Sequence, residues 1–195
     1  MIAQVLKRSL GQMMHGVQVV GAHHEGLARA YSSHWVSQVS FYDPIVMAIV
    51  SPKHDTFPLI VASGEFAVSV LAGDQVAAGQ YFSYPGRKFR YLADEFLDVF
   101  PGTELPVVRD AISWLRCEVF DTKALSDHVL FFTRVVAVHA GRLKEPPLLY
   151  SSRLGWRIAG DKAREPGTSI RDGLLARLAA LGIDDADEPE GGDDE

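Results

Sequence analysis

The chain has 195 residues, 47% hydrophobic and 10% aromatic, which is enough for one domain with a substantial core. No apolar run approaches the roughly 18 to 20 residues that cross a bilayer, and the single cysteine, Cys117, excludes an internal disulfide or a thiolate metal cluster. The net charge is −6, but eight acids and no base fall in residues 184–195; without them the body stands at +2, with no basic excess for nucleic acid.

In chain order, residues 2–14 read as an amphipathic helix, with Ile2, Val5, Leu6, Leu10 and Met13 at helical spacing and Gly16 ending it. They carry no signal-peptide apolar core, so a cytoplasmic protein is expected. Residues 17–22 are β-rich, and Glu25-Gly26 turns into residues 27–31, which predicts a hairpin. Residues 45–50, IVMAIV, are continuously apolar and predict a buried strand. Asp55 or Thr56 can cap a short helix through Ala62, with Pro58 in its first turn and Ser63-Gly64 closing it. Over residues 66–71, Phe66, Val68 and Val70 share one strand face, while small Ala67 and Ser69 leave room for something bulky on the other. Gly73-Asp74 opens a helix over residues 75–82, and residues 83–90 form a basic turn.

Residues 92–108 show no clear period and read as loop with a helical turn. Residues 112–120 alternate, with Leu115, Cys117 and Val119 on one face and Trp114, Arg116 and Glu118 on the other. A turn at residues 125–128 leads into residues 129–138, which are apolar on both faces; cover is expected on both, with a second subunit as one candidate. Residues 148–151 are the last expected strand. Residues 162–168 are linker-like, and Ser169 with Asp172 starts a helix that runs through Leu181 and stops at Gly182. Many strands joined by short turns, with few helices, predict a mainly β protein: a small barrel with helical additions. The expected division is a barrel domain over residues 1–160, a linker and helix over 161–183, and an acidic disordered tail over 184–195.

Several motifs are absent. No G-x-G-x-x-G follows a strand, and there is no Walker A sequence and no G-x-S-x-G elbow. His23 and His24 are adjacent, so they fall on opposite sides of a strand and make a poor metal pair. The turn Ser51-Pro52-Lys53-His54-Asp55-Thr56 is either an ordinary strand-to-helix connection or an anion cradle. Helix N–H groups favour negative charge there, Lys53 adds a cation, and His54 and Thr56 add donors. Residues 32–37 are either a solvent-facing hairpin edge or a polar edge lining the heterocycle of a cofactor. Asp127-His128 is either a self-contained turn pair or places His128 at a site mouth, where the carboxylate favours imidazolium. Cys117 reads as a buried filler beside Leu115 and Val119.

Six segments, in this order and spacing, carry a resemblance. They are Ser32 to Ser40 followed by Pro44; ASGEFAVSVL (residues 62–71) with Gln75; Phe82 with Lys88-Phe89; Leu115-Arg116-Cys117-Glu118; Asp127-His128-Val129-Leu130-Phe131 with Val135; and Pro147-Leu148-Leu149-Tyr150. Through them the chain resembles the flavin reductase-like proteins over residues 6–150. The resemblance implies an FMN-binding split β-barrel and a homodimer with FMN at the subunit boundary, FAD being the alternative flavin. It also implies NADH or NADPH as co-substrate, hydride transfer from nicotinamide C4 to flavin N5, and often a partner monooxygenase that receives the reduced flavin. By position, Ser32, Ser33, His34 and Trp35 would line the isoalloxazine and ribityl chain, with Ser37 on the same polar edge. Ser51, Lys53, His54 and Thr56 would hold the phosphate, with Lys88 as a further candidate, and His128 would act beside the nicotinamide.

There are departures from the family pattern. His34 and Trp35 stand where smaller residues are common, His54 where serine is common, Thr133 where glycine is common, and Asp43-Pro44 in place of Pro-Pro. Two other readings stay open. One is a non-enzymatic FMN-binding electron-transfer protein, flavoredoxin-like, in which Trp35 closes the flavin face. The other is a cofactor-free barrel that uses its acidic tail as a contact.

Overall fold

The computed structural model describes residues 2–84, 89–160 and 171–182. The chain forms two units, Met1–Gly160 and Asp161–Glu195. The first opens on helix α1 (Ile2–Leu10), which is shorter than its periodicity suggests. Met13 falls on the helical stripe, but the backbone turns at Gly11 and Gln12. It then enters strand β1 (His15–Gly16), which pairs with β11 (Leu148–Ser151). Gly16 therefore belongs to a strand and does not end the helix.

Strands β2 (Gln18–His24) and β3 (Leu27–Ser33) form the expected hairpin. Its two turn residues, Glu25 (φ 48°) and Gly26 (φ 76°), are both left-handed, as a tight turn matching strand twist requires. With β4 (Val36–Gln38), β5 (Ile45–Val50), β6 (Glu65–Val70), β9 (Ser113–Leu125) and β10 (His128–Ala140) they build a seven-stranded antiparallel sheet, ordered β3-β2-β6-β9-β10-β5-β4. The sheet curls on itself. Tyr31 Oη on edge strand β3 donates to the Ile49 carbonyl on β5 at 3.4 Å, and Ile49 N donates to the Trp35 carbonyl at 3.0 Å. The fold is thus the mainly β split barrel with helical additions.

The barrel interior is filled from all sides by Val20, Tyr31, Val46, Ala48, Phe66, Val68, Cys117 and Phe131. Helix α2 (Phe57–Ser63) adds Leu59 and Ile60, and Gly64 ends it at φ 71°. Cys117 is the expected filler, and burial pushes its thiol up to about 11. A second cluster lies under helix α3 (Val76–Ser83) and the small sheet of β1, β11 and β12 (Gly155–Ile158). Strand β12 follows β11, which is therefore not the last strand.

Residues 92–108 are more ordered than their lack of period suggests. A 3-10 helix (Phe89–Glu95) precedes a short hairpin of β7 (Leu97–Val99) and β8 (Pro106–Val108). Strands of three residues are too short to show alternation. Strand β8 is the bulky occupant expected against Ala67 and Ser69: Val107 packs with Ala67, and Val108 N donates to Ser69 Oγ at 2.9 Å. Strand β10 is only partly covered by its own chain, with Val136 44% and Val138 62% exposed. In the second unit, helix α4 (Arg171–Ala180) is followed by Gly182 at φ 72°. The expected linker, Ser169 and the acidic tail lie outside the described residues. Among the described residues no helix is long and apolar enough to cross a membrane.

Gly21 lies where β2 passes under β8, and a Cβ added there would overlap the Pro106 carbonyl oxygen. Gly21→Ala should therefore cost about 2–3 kcal/mol of stability through overpacking against backbone, read as a lower urea midpoint at unchanged slope.

Candidate functional site

The pairing of β5 with β10 sets Val50 opposite Val129. The chain leaves this ladder on one strand at Ser51 and joins it on the other at His128, so two turns far apart in sequence lie side by side. On the β9–β10 turn, Ser126 takes φ 32°, and Asp127 Oδ1 lies 2.9 Å from His128 Nδ1. The hydrogen bond with His128 holds the Asp127 carboxyl below the usual carboxylate range, and the Lys53 charge acts in the same direction.

On the β5–α2 turn, the Ser51 carbonyl accepts from His54 N at 3.0 Å, and Ser51 Oγ accepts from Lys53 N at 3.3 Å. Lys53 is exposed. The His54 ring stacks on Tyr31 with centroids 4.5 Å apart at 23°. Burial of the stacked face depresses the His54 pKa although the ring edge reaches solvent; repulsion from His128 adds to this, and Asp55 partly offsets it. Beneath it the Tyr31 phenol is pushed up by burial. Thr56 holds the N-cap position of α2, as expected, but its hydroxyl makes no capping bond.

Trp35 closes the group. Its indole meets His128 edge to face, with centroids 5.0 Å apart at 75°. The structure thus brings Trp35, His54 and His128 together, with Asp127 as the support expected from the Asp127-His128 pair and Tyr31 as a support that no local motif singled out.

The polar run 32–37 is not one edge. Strand alternation turns Tyr31 and Ser33 into the barrel, where Ser33 Oγ accepts from Trp35 N at 3.1 Å. His34 lies on the other side, stacked on Tyr150 at 4.4 Å and 14°, with Trp156 edge-on at 6.2 Å. Desolvation depresses the His34 pKa, and His15 adds to the effect. Ser37 is exposed on β4, and its hydroxyl donates to the Gln38 carbonyl at 3.2 Å. Nothing draws it to the other site residues. Lys88 lies outside the described residues. Thr133 is buried in the core, and its hydroxyl donates to the Val46 carbonyl at 2.8 Å. Tyr150 and Trp156, on the small sheet, are neighbours of His34 that only the assembled fold reveals.

Among the described residues, three buried side-chain polar atoms lack a hydrogen-bond partner: Ser32 Oγ, His34 Nδ1 and Thr56 Oγ1. An unmade buried bond costs about 1–3 kcal/mol. Thr56 lies at the β5–α2 turn, whereas Ser32 and His34 share the side of their segment that faces away from the barrel interior; unmade bonds of this kind fit a ligand with several heteroatoms, such as a flavin nucleotide. No group of three or more His, Cys, Asp or Glu among the described residues could hold a metal ion.

A family model described as "Flavin reductase like domain" matches residues 10–154. The chain is 28% identical over 148 residues to the reductase component of 4-nitrophenol 4-monooxygenase/4-nitrocatechol 2-monooxygenase of Rhodococcus opacus, covering 75% of this chain and 76% of that one. It is 30% identical over 128 residues to the NADH:riboflavin 5'-phosphate oxidoreductase of Streptomyces pristinaespiralis, covering 66% and 72%. In fold it is similar to the crystal structure of a nitrilotriacetate monooxygenase component B homologue from Mycobacterium thermoresistibile, with a TM-score of 0.73, 22% identity, and coverage of 89% and 94%.

His34 and His54 both carry depressed pKa values relative to 6.5. Below that pH the unfolded chain takes up protons that the folded state resists. Their contribution to stability is therefore complete above 6.5 and falls as the pH drops toward the depressed values. The melting temperature should drop between about pH 7.5 and about pH 5.5, and His34→Asn should reduce that drop.

Proposed function

The chain belongs to the flavin reductase-like family, and on that premise we propose how it works. It is an oxidoreductase that passes a hydride from NADH or NADPH to a flavin and supplies the reduced flavin to a monooxygenase. The flavin we propose is FMN, held at the mouth between the β5–α2 and β9–β10 turns. The observation that carries this reading is the meeting of the Lys53–His54 turn with the Asp127–His128 turn beside the buried, unpartnered Thr56 hydroxyl, with Ser32 Oγ and His34 Nδ1 unpartnered on the neighbouring segment. An isoalloxazine, a ribityl chain and a phosphate present the donors and acceptors these atoms lack. The S. pristinaespiralis relative, named for riboflavin 5'-phosphate, supports FMN over FAD.

Bound flavin supplies the two-electron acceptor. The chain's own residues bind and orient. Lys53 carries the charge for the phosphate, with the hydroxyls of Ser51 and Thr56 and one N–H of neutral His54 beside it. Ser32 and His34 line the ring and ribityl side, while Ser33, inside the barrel, holds the Trp35 main chain. His128, aligned by Asp127, holds the nicotinamide end. Hydride transfer needs no side-chain acid or base, so these groups position substrates and exclude water. One contact favours the runner-up, a flavin-binding electron carrier: Trp35 already packs against His128, where the nicotinamide would come.

We also propose a homodimer. Helix α1 buries none of its residues and leaves Ile2, Val5, Leu6 and Leu10 exposed, as β10 leaves Val136 and Val138, and a second copy would cover such faces.

The purified protein should be yellow or take up FMN, and should bleach on anaerobic addition of NADH or NADPH. Yellow protein that does not bleach identifies the carrier, and colourless protein that takes up no FMN sinks both readings. Lys53→Ala should weaken FMN binding about tenfold, the value of one charge-assisted contact. His128→Ala should raise KM for the nicotinamide more than it weakens FMN binding. Light scattering should give twice the chain mass, and Val138→Asp should shift the protein toward monomer.

A further inference from the structure

Trp35 stands against His128 in a way that hydride transfer alone does not require. The imidazole has little free surface. Asp127 engages Nδ1 at 2.9 Å, and 23% of the side chain reaches solvent. The indole covers another side, edge to face at 5.0 Å. Trp35 itself is the looser member, since it is 48% exposed. Its main chain is pinned at both ends: its N–H donates to Ser33 Oγ at 3.1 Å, and its carbonyl accepts from Ile49 N at 3.0 Å. Any movement of the indole is therefore rotation about its own side-chain bonds, and no strand has to shift. On the neighbouring turn the Tyr31–His54 stack, at 4.5 Å, occupies the space on that side.

We propose that Trp35 is the specificity-determining gate of the nicotinamide subsite: in the free protein the indole covers His128, and a nicotinamide ring takes its place on the imidazole. This rests on reading the mouth as the hydride-transfer site. A planar nicotinamide restores the ring contact that the indole gives up, whereas a non-aromatic reductant does not. The gate therefore selects an aromatic hydride donor and charges it the cost of one aromatic pair. Such a pair is worth roughly a threefold to tenfold change in affinity.

The test uses FMN-loaded wild type, Trp35→Ser and Trp35→Phe, with NAD+ as a nicotinamide ligand that cannot reduce the flavin. W35S should bind NAD+ about 3- to 10-fold more tightly than wild type, with kcat/KM for NADH rising by a similar factor. W35F, which keeps a smaller ring, should gain less. In wild type without flavin, NAD+ should change the tryptophan emission, and that change should be lost in W35F, which retains Trp114 and Trp156. NAD+ affinity in W35S equal to or below wild type overturns the gate even if the flavin is reduced normally. If W35S does not fold, W35F carries the same test: tighter NAD+ binding supports the gate, and unchanged or weaker binding overturns it. Wild type that binds neither FMN nor NAD+ overturns the hydride-transfer reading and the gate with it.

Discussion

The register between β5 and β10 is the constraint on which the rest of the molecule depends. It sets small Ala48 opposite Phe131, and Val46 opposite Thr133, whose buried hydroxyl bonds the Val46 carbonyl. These pairs define which face of each strand fills the barrel. A slip of one residue would turn Val46, Ala48 and Val50 outward and bring the bulkier Ile45, Met47 and Ile49 inside. The same register delivers Ser51 and His128 to adjacent points at the end of the ladder. The turn bearing Lys53 and His54 and the turn bearing Asp127 and His128 meet because this register ends with Val50 opposite Val129. Thr133, a departure from the family's common glycine, is thereby a core residue with its hydroxyl satisfied.

Closure of the sheet supplies the third wall. The bonds from Tyr31 Oη and Trp35 to the Ile49 backbone bring the end of β3 across the opening. Rings then pair from separate elements, Tyr31 with His54 and Trp35 with His128. Depression of the His54 pKa leaves that ring neutral at pH 7, so the β5–α2 turn presents Lys53 as its cation. A neutral aromatic mouth beside one lysine suits a ligand that joins a planar ring to an anion, and this is the chemistry we propose for it.

Much of this was legible along the chain. Residues 45–50, the helix Phe57–Ser63 and the Glu25-Gly26 turn are written in local terms: continuous apolar residues, a proline early in a helix, and glycines where φ is positive. The turn at residues 51–56 stood out because hydroxyls, an imidazole and a lysine cluster there within six residues, and the turn at residues 125–128 because a carboxylate adjoins an imidazole. The contact of Asp127 with His128 joins neighbours in sequence and needed no tertiary information.

What the chain alone could not decide is who faces whom. Residues 32–37 looked like one polar edge, yet strand alternation divides Ser33 from His34, and His34 finds Tyr150 and Trp156 on a small sheet over a hundred residues away. The end of α1 was set by the pairing of β1 with β11, not by its own periodicity, and β7, β8 and β12 are too short to show a pattern without their partners. Local hydrogen bonding and side-chain period are properties of consecutive residues, so the sequence determined the elements, the turns and the kind of chemistry they carry. Ladder register and barrel closure depend on residues far apart, so only the tertiary structure decided that Trp35 lies on His128, that Tyr31 lies under His54, and that, among the described residues, Ser32, His34 and Thr56 bury polar atoms without a partner.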